Sequence, residues 1–84
     1  MEIKNITGQG EERVFQVYHK KFYIKKDDYY RLVHHFHEPF SQTALQHIVT
    51  KYLEENNDNG LVGMVRYKEE GDGIILDAAI RYLQ

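Results

Sequence analysis

The spacing of apolar residues changes twice along this 84-residue chain, from alternation to a helical repeat and back. Arg13 to Lys25 carries Val14, Phe15, Val17, Tyr18, Phe22, Tyr23 and Ile24, the β-branched and aromatic types that suit a half-buried strand. Val17 to Phe22 is an odd step. One unbroken strand would therefore set Phe15 and Val17 on the face opposite Phe22 and Ile24. A turn or bulge at His19 to Lys21 would restore a single face, so a short hairpin over 13–25 is expected. Glu2 to Ile6 offers a short first strand. Gly8 and Gly10 make Thr7 to Glu11 a loop.

The middle of the chain switches to helical spacing. Asp27 and Asp28 suit a helix start, where free N–H groups and the dipole favour carboxylates. Tyr29, Leu32, Val33 and Phe36 fall at i, i+3, i+4 and i+7, and Pro39 disfavours helical geometry at Glu38. These signals predict a helix over 27–38. A second helix is expected over 41–55, with Ser41 as N-cap, Phe40 stapled on Leu45, and Leu45, Ile48, Val49, Tyr52 and Leu53 as its stripe. Asn56 to Gly60 then reads as a cap and turn.

Alternation returns from Leu61. Leu61, Val65 and Tyr67 share one side, with Val62, Met64, Arg66 and Lys68 on the other. A loop at Glu69 to Gly73 leads into Ile74, Leu76, Ala78, Ile80 and Tyr82, which alternate with Ile75, Asp77, Ala79, Arg81 and Leu83. Ala78-Ala79 lowers strand propensity and leaves a helix from Asp77 as the alternative. The expected fold is one α+β domain over 1–84. It has a small mixed or antiparallel sheet, built from the 13–25 and 61–82 hairpins, covered on one face by helices 27–38 and 41–55. Its core would join Leu32, Val33, Phe36, Leu45, Ile48, Val49 and Leu53 to Phe15, Val17, Phe22, Ile24, Val65, Leu76 and Ile80.

Composition removes several chemistries. There is no cysteine, hence no disulfide, thiol catalysis or thiolate-held metal. No apolar run reaches about 18 residues, and Met1 to Ile6 lacks the apolar core of a signal peptide, so a cytoplasmic location without membrane contact is expected. A net charge of −2 argues against polyanion binding on bulk charge. Its distribution is uneven: Arg13 to Arg31 is basic, and Glu54 to Asp77 is acidic.

Five candidate constellations follow. On a helix, Tyr30, His34 and His37 share a face, and His34, His37 and Glu38 could ligate a metal, although HxxH spacing is common by chance. Glu55, Asn57, Asn59 and Gly60 imitate the start of a calcium loop, but position 12 is Arg66 instead of a bidentate carboxylate. Gly8-Gln9-Gly10 precedes Glu11 and Glu12, which would repel a phosphate. Lys20, Lys21, Lys25 and Lys26, interleaved with Phe22 and Tyr23, could grip a single nucleic-acid strand. Two helices followed by a hairpin also suit a winged-helix reader, with Gln42, Gln46, His47, Thr50 and Lys51 exposed and an acidic wing tip that works against it.

No nucleophile–base pair stands out, and Ser41 is the one serine. The expectation is therefore a small non-enzymatic protein-binding or regulatory module without cofactor, an accessory or inhibitor protein of a bacterium or phage. Its partner would be another protein or itself, as a homodimer, with nucleic acid as the alternative. Seven tyrosines favour the interface reading, and Tyr23, Tyr30, His34, His37 and Tyr67 are the candidate contact residues.

Overall fold

The computed structural model describes residues 3–6, 12–14 and 17–82. The elements run β1 (Lys4–Asn5), β2 (Glu12–Val14), β3 (Val17–Lys25), α1 (Lys26–Val33), α2 (Gln42–Glu55), β4 (Leu61–Glu70) and β5 (Gly73–Arg81). All pairings are antiparallel. The sheet order is β1-β3-β5-β4, with β2 also on β3. Both helices pack on one face, giving the expected α+β arrangement.

β3 is a single unbroken strand, paired with β5 from Val17–Arg81 to Lys25–Gly73. There is no turn or bulge at His19 to Lys21, contrary to the sequence expectation. The hairpin within 13–25 is made instead by β2 against the start of β3, with Val14 opposite Val17. The odd step keeps its consequence: Phe22 and Ile24 enter the core, while Val17 sits on the other face, half-buried. Phe15, also expected in the core, lies outside the described residues.

Residues 74, 76, 78 and 80 of β5 are fully buried under the helices, which decides for strand over helix from Asp77 onward. They meet Leu45, Ile48, Val49 and Leu53 of α2, with Tyr29 and Val33 of α1 closing one end. Leu32 and Phe36 pack at the margin of that core. The β4–β5 register slips between Val62 and Val65. Val62 faces Ile80 and Val65 faces Ala78, three residues against two, so a bulge lets both valines look inward. Simple alternation had grouped Leu61 with Val65, but Leu61 is exposed. The β4–β5 turn is tighter than expected, with Gly71 at φ +58, where glycine is the favoured residue.

α1 is shorter than Pro39 alone dictates. It ends at Val33, and turns lead from His34 to Phe40. His34 Nδ1–H donates to the Arg31 carbonyl at 2.8 Å, the acceptor a continuing helix would offer to the His35 N–H. Farther on, the Tyr29 hydroxyl bonds the Pro39 carbonyl and folds the connection back over α1. α2 starts as expected, with Ser41 Oγ accepting from the Ala44 N–H at 3.2 Å. Phe40 stacks between Tyr29 and Tyr67, at ring separations of 5.0 and 4.4 Å.

Candidate functional site: the uncovered sheet face

Among the described residues, no helix lies over one face of the sheet. Strand alternation and pairing place Lys4, His19, Lys21, Tyr23 and Lys25 there, beside Ile75, Asp77, Ala79 and Arg81 of β5 and Arg66, Lys68 and Glu70 of β4. Among described side chains that face holds six cations (Lys4, Lys21, Lys25, Arg66, Lys68, Arg81) and two carboxylates (Asp77, Glu70). The helix side is opposite in sign, with Asp27, Asp28, Glu38, Glu54, Glu55, Asp58 and Glu69 outnumbering Lys20, Lys26, Arg31 and Lys51. The two charge blocks of the sequence do not map onto these layers: Lys20, Lys26 and Arg31 lie on the helix side, and Glu70 and Asp77 on the uncovered face.

Asp77 lies at the centre of the basic face. His19 Nδ1 is 3.9 Å from one carboxylate oxygen and Arg66 is 4.0 Å from the other. Asp77 Oδ1 is buried and has no hydrogen-bond partner. Beside it, Val17, Leu61, Val62, Gly63, Ala79 and Arg81 line a shallow apolar concavity of about 270 Å³. At the other end the Tyr23 ring reaches over Gly73, where a Cβ would come within 2.1 Å of it. The face thus combines charge, apolar area and one aromatic plate.

The five expected contact residues separate into three places. Tyr23 is on this face. Tyr30 and Tyr67 are both exposed on the helix side and meet the Phe40 ring from different directions. His34 and His37 are exposed in the α1–α2 connection and no longer share a helix face, because α1 stops before them. His35 instead takes Phe36 and His47 as ring neighbours, at 4.3 and 5.6 Å. No three metal-ligating side chains gather among the described residues, so His34, His37 and Glu38 do not form a centre.

The lysine cluster is also divided. Lys20 turns toward the helices and is 9% exposed. Its Nζ lies 3.0 Å from the Tyr82 hydroxyl and 3.8 Å from Asp58, and that hydroxyl donates to Asp58 at 2.9 Å. Burial raises the pKa of the Tyr82 phenol, with the Asp58 carboxylate acting in the same direction and Lys20 opposing. Lys26 starts α1 and pairs with Glu69 at 3.8 Å. Only Lys21 and Lys25 of the four reach the uncovered face. Of the residues a winged-helix reader would use, Gln42 and Gln46 are tied to the backbone of β4.

Arg66, Lys68, Arg81 and Lys4 were missed as functional residues. The signal was the parity of charged positions within each strand, readable only once β3, β4 and β5 are known to lie side by side. No helix here is long and apolar enough to cross a membrane, among the described residues. Compared with protein families, curated proteins and solved structures, the chain finds no match, so its own surface is the source of any functional reading.

Proposed function

We propose that this chain is a non-enzymatic binding module that holds an acidic protein partner against the uncovered sheet face. The observation that carries the reading is the charge separation between the layers, six cations to two carboxylates among the described side chains of the face without helices. A face of one sign attracts a complementary surface and rejects others. The apolar concavity around Ala79 adds area for a side chain of the partner. That apolar concavity, which a protein side chain fills and a phosphate backbone does not, ranks a protein above nucleic acid. The flat ring of Tyr23 among lysines supports the nucleic-acid alternative, as a plate for one base.

Affinity capture from the native host tests the reading with three baits: the parent, Lys25→Glu/Arg81→Glu, and Glu54→Lys/Glu55→Lys. The expected result is a partner retained by the parent and the helix variant, lost by the face variant, and released by salt. Equal recovery by all three baits would remove the face as the contact. Recovery that nuclease treatment abolishes would transfer the site to nucleic acid.

A further inference from the structure

β4 is an edge strand, and its outward backbone groups are treated in two different ways. The Gln42 side chain donates to the Val65 carbonyl at 2.5 Å and accepts from the Val65 N–H at 3.0 Å. Gln46 donates to the Gly63 carbonyl at 2.8 Å. This half of the edge is closed by α2. Since Val65 directs its N–H and C=O outward, strand geometry directs those of Tyr67 and Glu69 outward as well, while Arg66, Lys68 and Glu70 face β5. No described side chain bonds the outward groups of Tyr67 or Glu69. Among the described residues, an open stretch of two outward residues remains, with Tyr67 exposed on one side of it and Arg66, Lys68 and Glu70 on the other.

We infer that this stretch pairs with the same stretch of a second copy, antiparallel about a two-fold axis through Lys68, forming one sheet across both chains. The register follows from two constraints. Hydrogen-bonded pairing needs an outward residue on each strand, and Val65 is already occupied by Gln42. Setting Tyr67 against Glu69 of the second copy, and Glu69 against its Tyr67, uses both open residues of each chain for four backbone hydrogen bonds. The same register sets Arg66 opposite Glu70 of the second copy twice over. A slip of two residues one way places Arg66 against Lys68 of the second copy and requires Val65. A slip the other way sets Tyr67 against Gly71 of the second copy, beyond the end of β4, and gives up both Arg66–Glu70 pairs. In the chosen register Lys68 meets Lys68, but both side chains are exposed and screened by water. The axis stands perpendicular to the sheet, so both uncovered faces look the same way. The pairing does not depend on what those faces bind.

The chain has no cysteine, so an introduced one reports the register directly. Lys68 opposite Lys68 is a non-hydrogen-bonded pair with Cα atoms about 4.5 Å apart, inside the range a disulfide spans. Sedimentation of the parent is expected to give twice the 10.0 kDa chain mass. Under mild oxidation Lys68→Cys should link into dimers, and Thr50→Cys on α2 should not. Arg66→Glu should return the protein to monomer, and Arg66→Glu/Glu70→Arg should restore the dimer. A parent that stays monomeric at millimolar concentration overturns the inference. So does a dimer in which Lys68→Cys links no better than Thr50→Cys, or in which the charge exchange restores nothing.

Discussion

Gln42 serves Val65 as a neighbouring strand would, with its amide N–H on the carbonyl and its amide oxygen on the N–H. A side chain from the helix layer thereby completes the hydrogen bonding of an edge residue. Edges left open invite pairing with other chains. Gln42→Ala is expected to lower stability by about 1 kcal/mol, because water replaces the lost bonds. It should also cause concentration-dependent association beyond any dimer of the parent. Gln46→Ala, which removes one bond to Gly63, should do less of both. Urea melts and light scattering on the two variants would check the order.

Gly73 and Tyr23 form a pair that only glycine permits. A Cβ at 73 would sit 2.1 Å from the Tyr23 ring. Gly73→Ala should therefore destabilise by roughly 1–3 kcal/mol, the usual range for overpacking. Tyr23→Ala in the same chain should recover part of that loss. If both variants melt together with the parent, the ring does not lie where it is described.

The Lys20–Tyr82–Asp58 cluster ties the middle of β3 to the residue that follows β5 and to the turn after α2. Asp58 also accepts from the Gly60 N–H at 2.8 Å, so it serves three groups. Asp58→Ala should cost about 1–3 kcal/mol by leaving buried donors unpaired. Lys20→Met removes the charge and keeps much of the shape, and should cost less. Chemical denaturation of the two variants would separate them.

Alkaline pH should weaken the fold through tyrosine. Burial raises the pKa of the Tyr29 phenol, and neighbouring Tyr30 and Tyr67 act in the same direction; burial also raises that of Tyr82. A folded-state pKa above the unfolded one adds stability that is fully present below the unfolded value, about 10 for tyrosine. Above that pH the unfolded chain loses these protons first, and stability declines until the folded groups titrate. Tyr29→Phe should decline less steeply above pH 10, after an offset of about 1 kcal/mol for its lost bond to Pro39. Equal slopes for parent and variant would contradict the burial of that phenol.

Local signals located most of the framework. The α2 stripe, Ser41 as its cap and the β4–β5 hairpin were legible because each depends on neighbours within a few positions. The β4 bulge was not legible, since Val62 and Val65 share a side only through their pairing with Ile80 and Ala78. The end of α1 escaped for a related reason: Pro39 advertises a stop, while the His34 bond to Arg31 that accompanies the earlier one is a side-chain choice. Among candidate contact residues, Tyr23 was singled out by type, and its register places it on the uncovered face. Arg66, Lys68 and Arg81 were obscured because charge was summed along the sequence, whereas a sheet sums it across strands.

Among the described side chains, the segregation of charge between the two layers sets a dipole along the sheet normal. At neutral pH its overall charge is −2, yet one side presents an excess of ammonium and guanidinium groups. It should consequently adsorb to a cation exchanger as well as to an anion exchanger, turning a different side to each resin. Any flat charged support, from a chromatography bead to a sensor chip, would capture it in one preferred orientation.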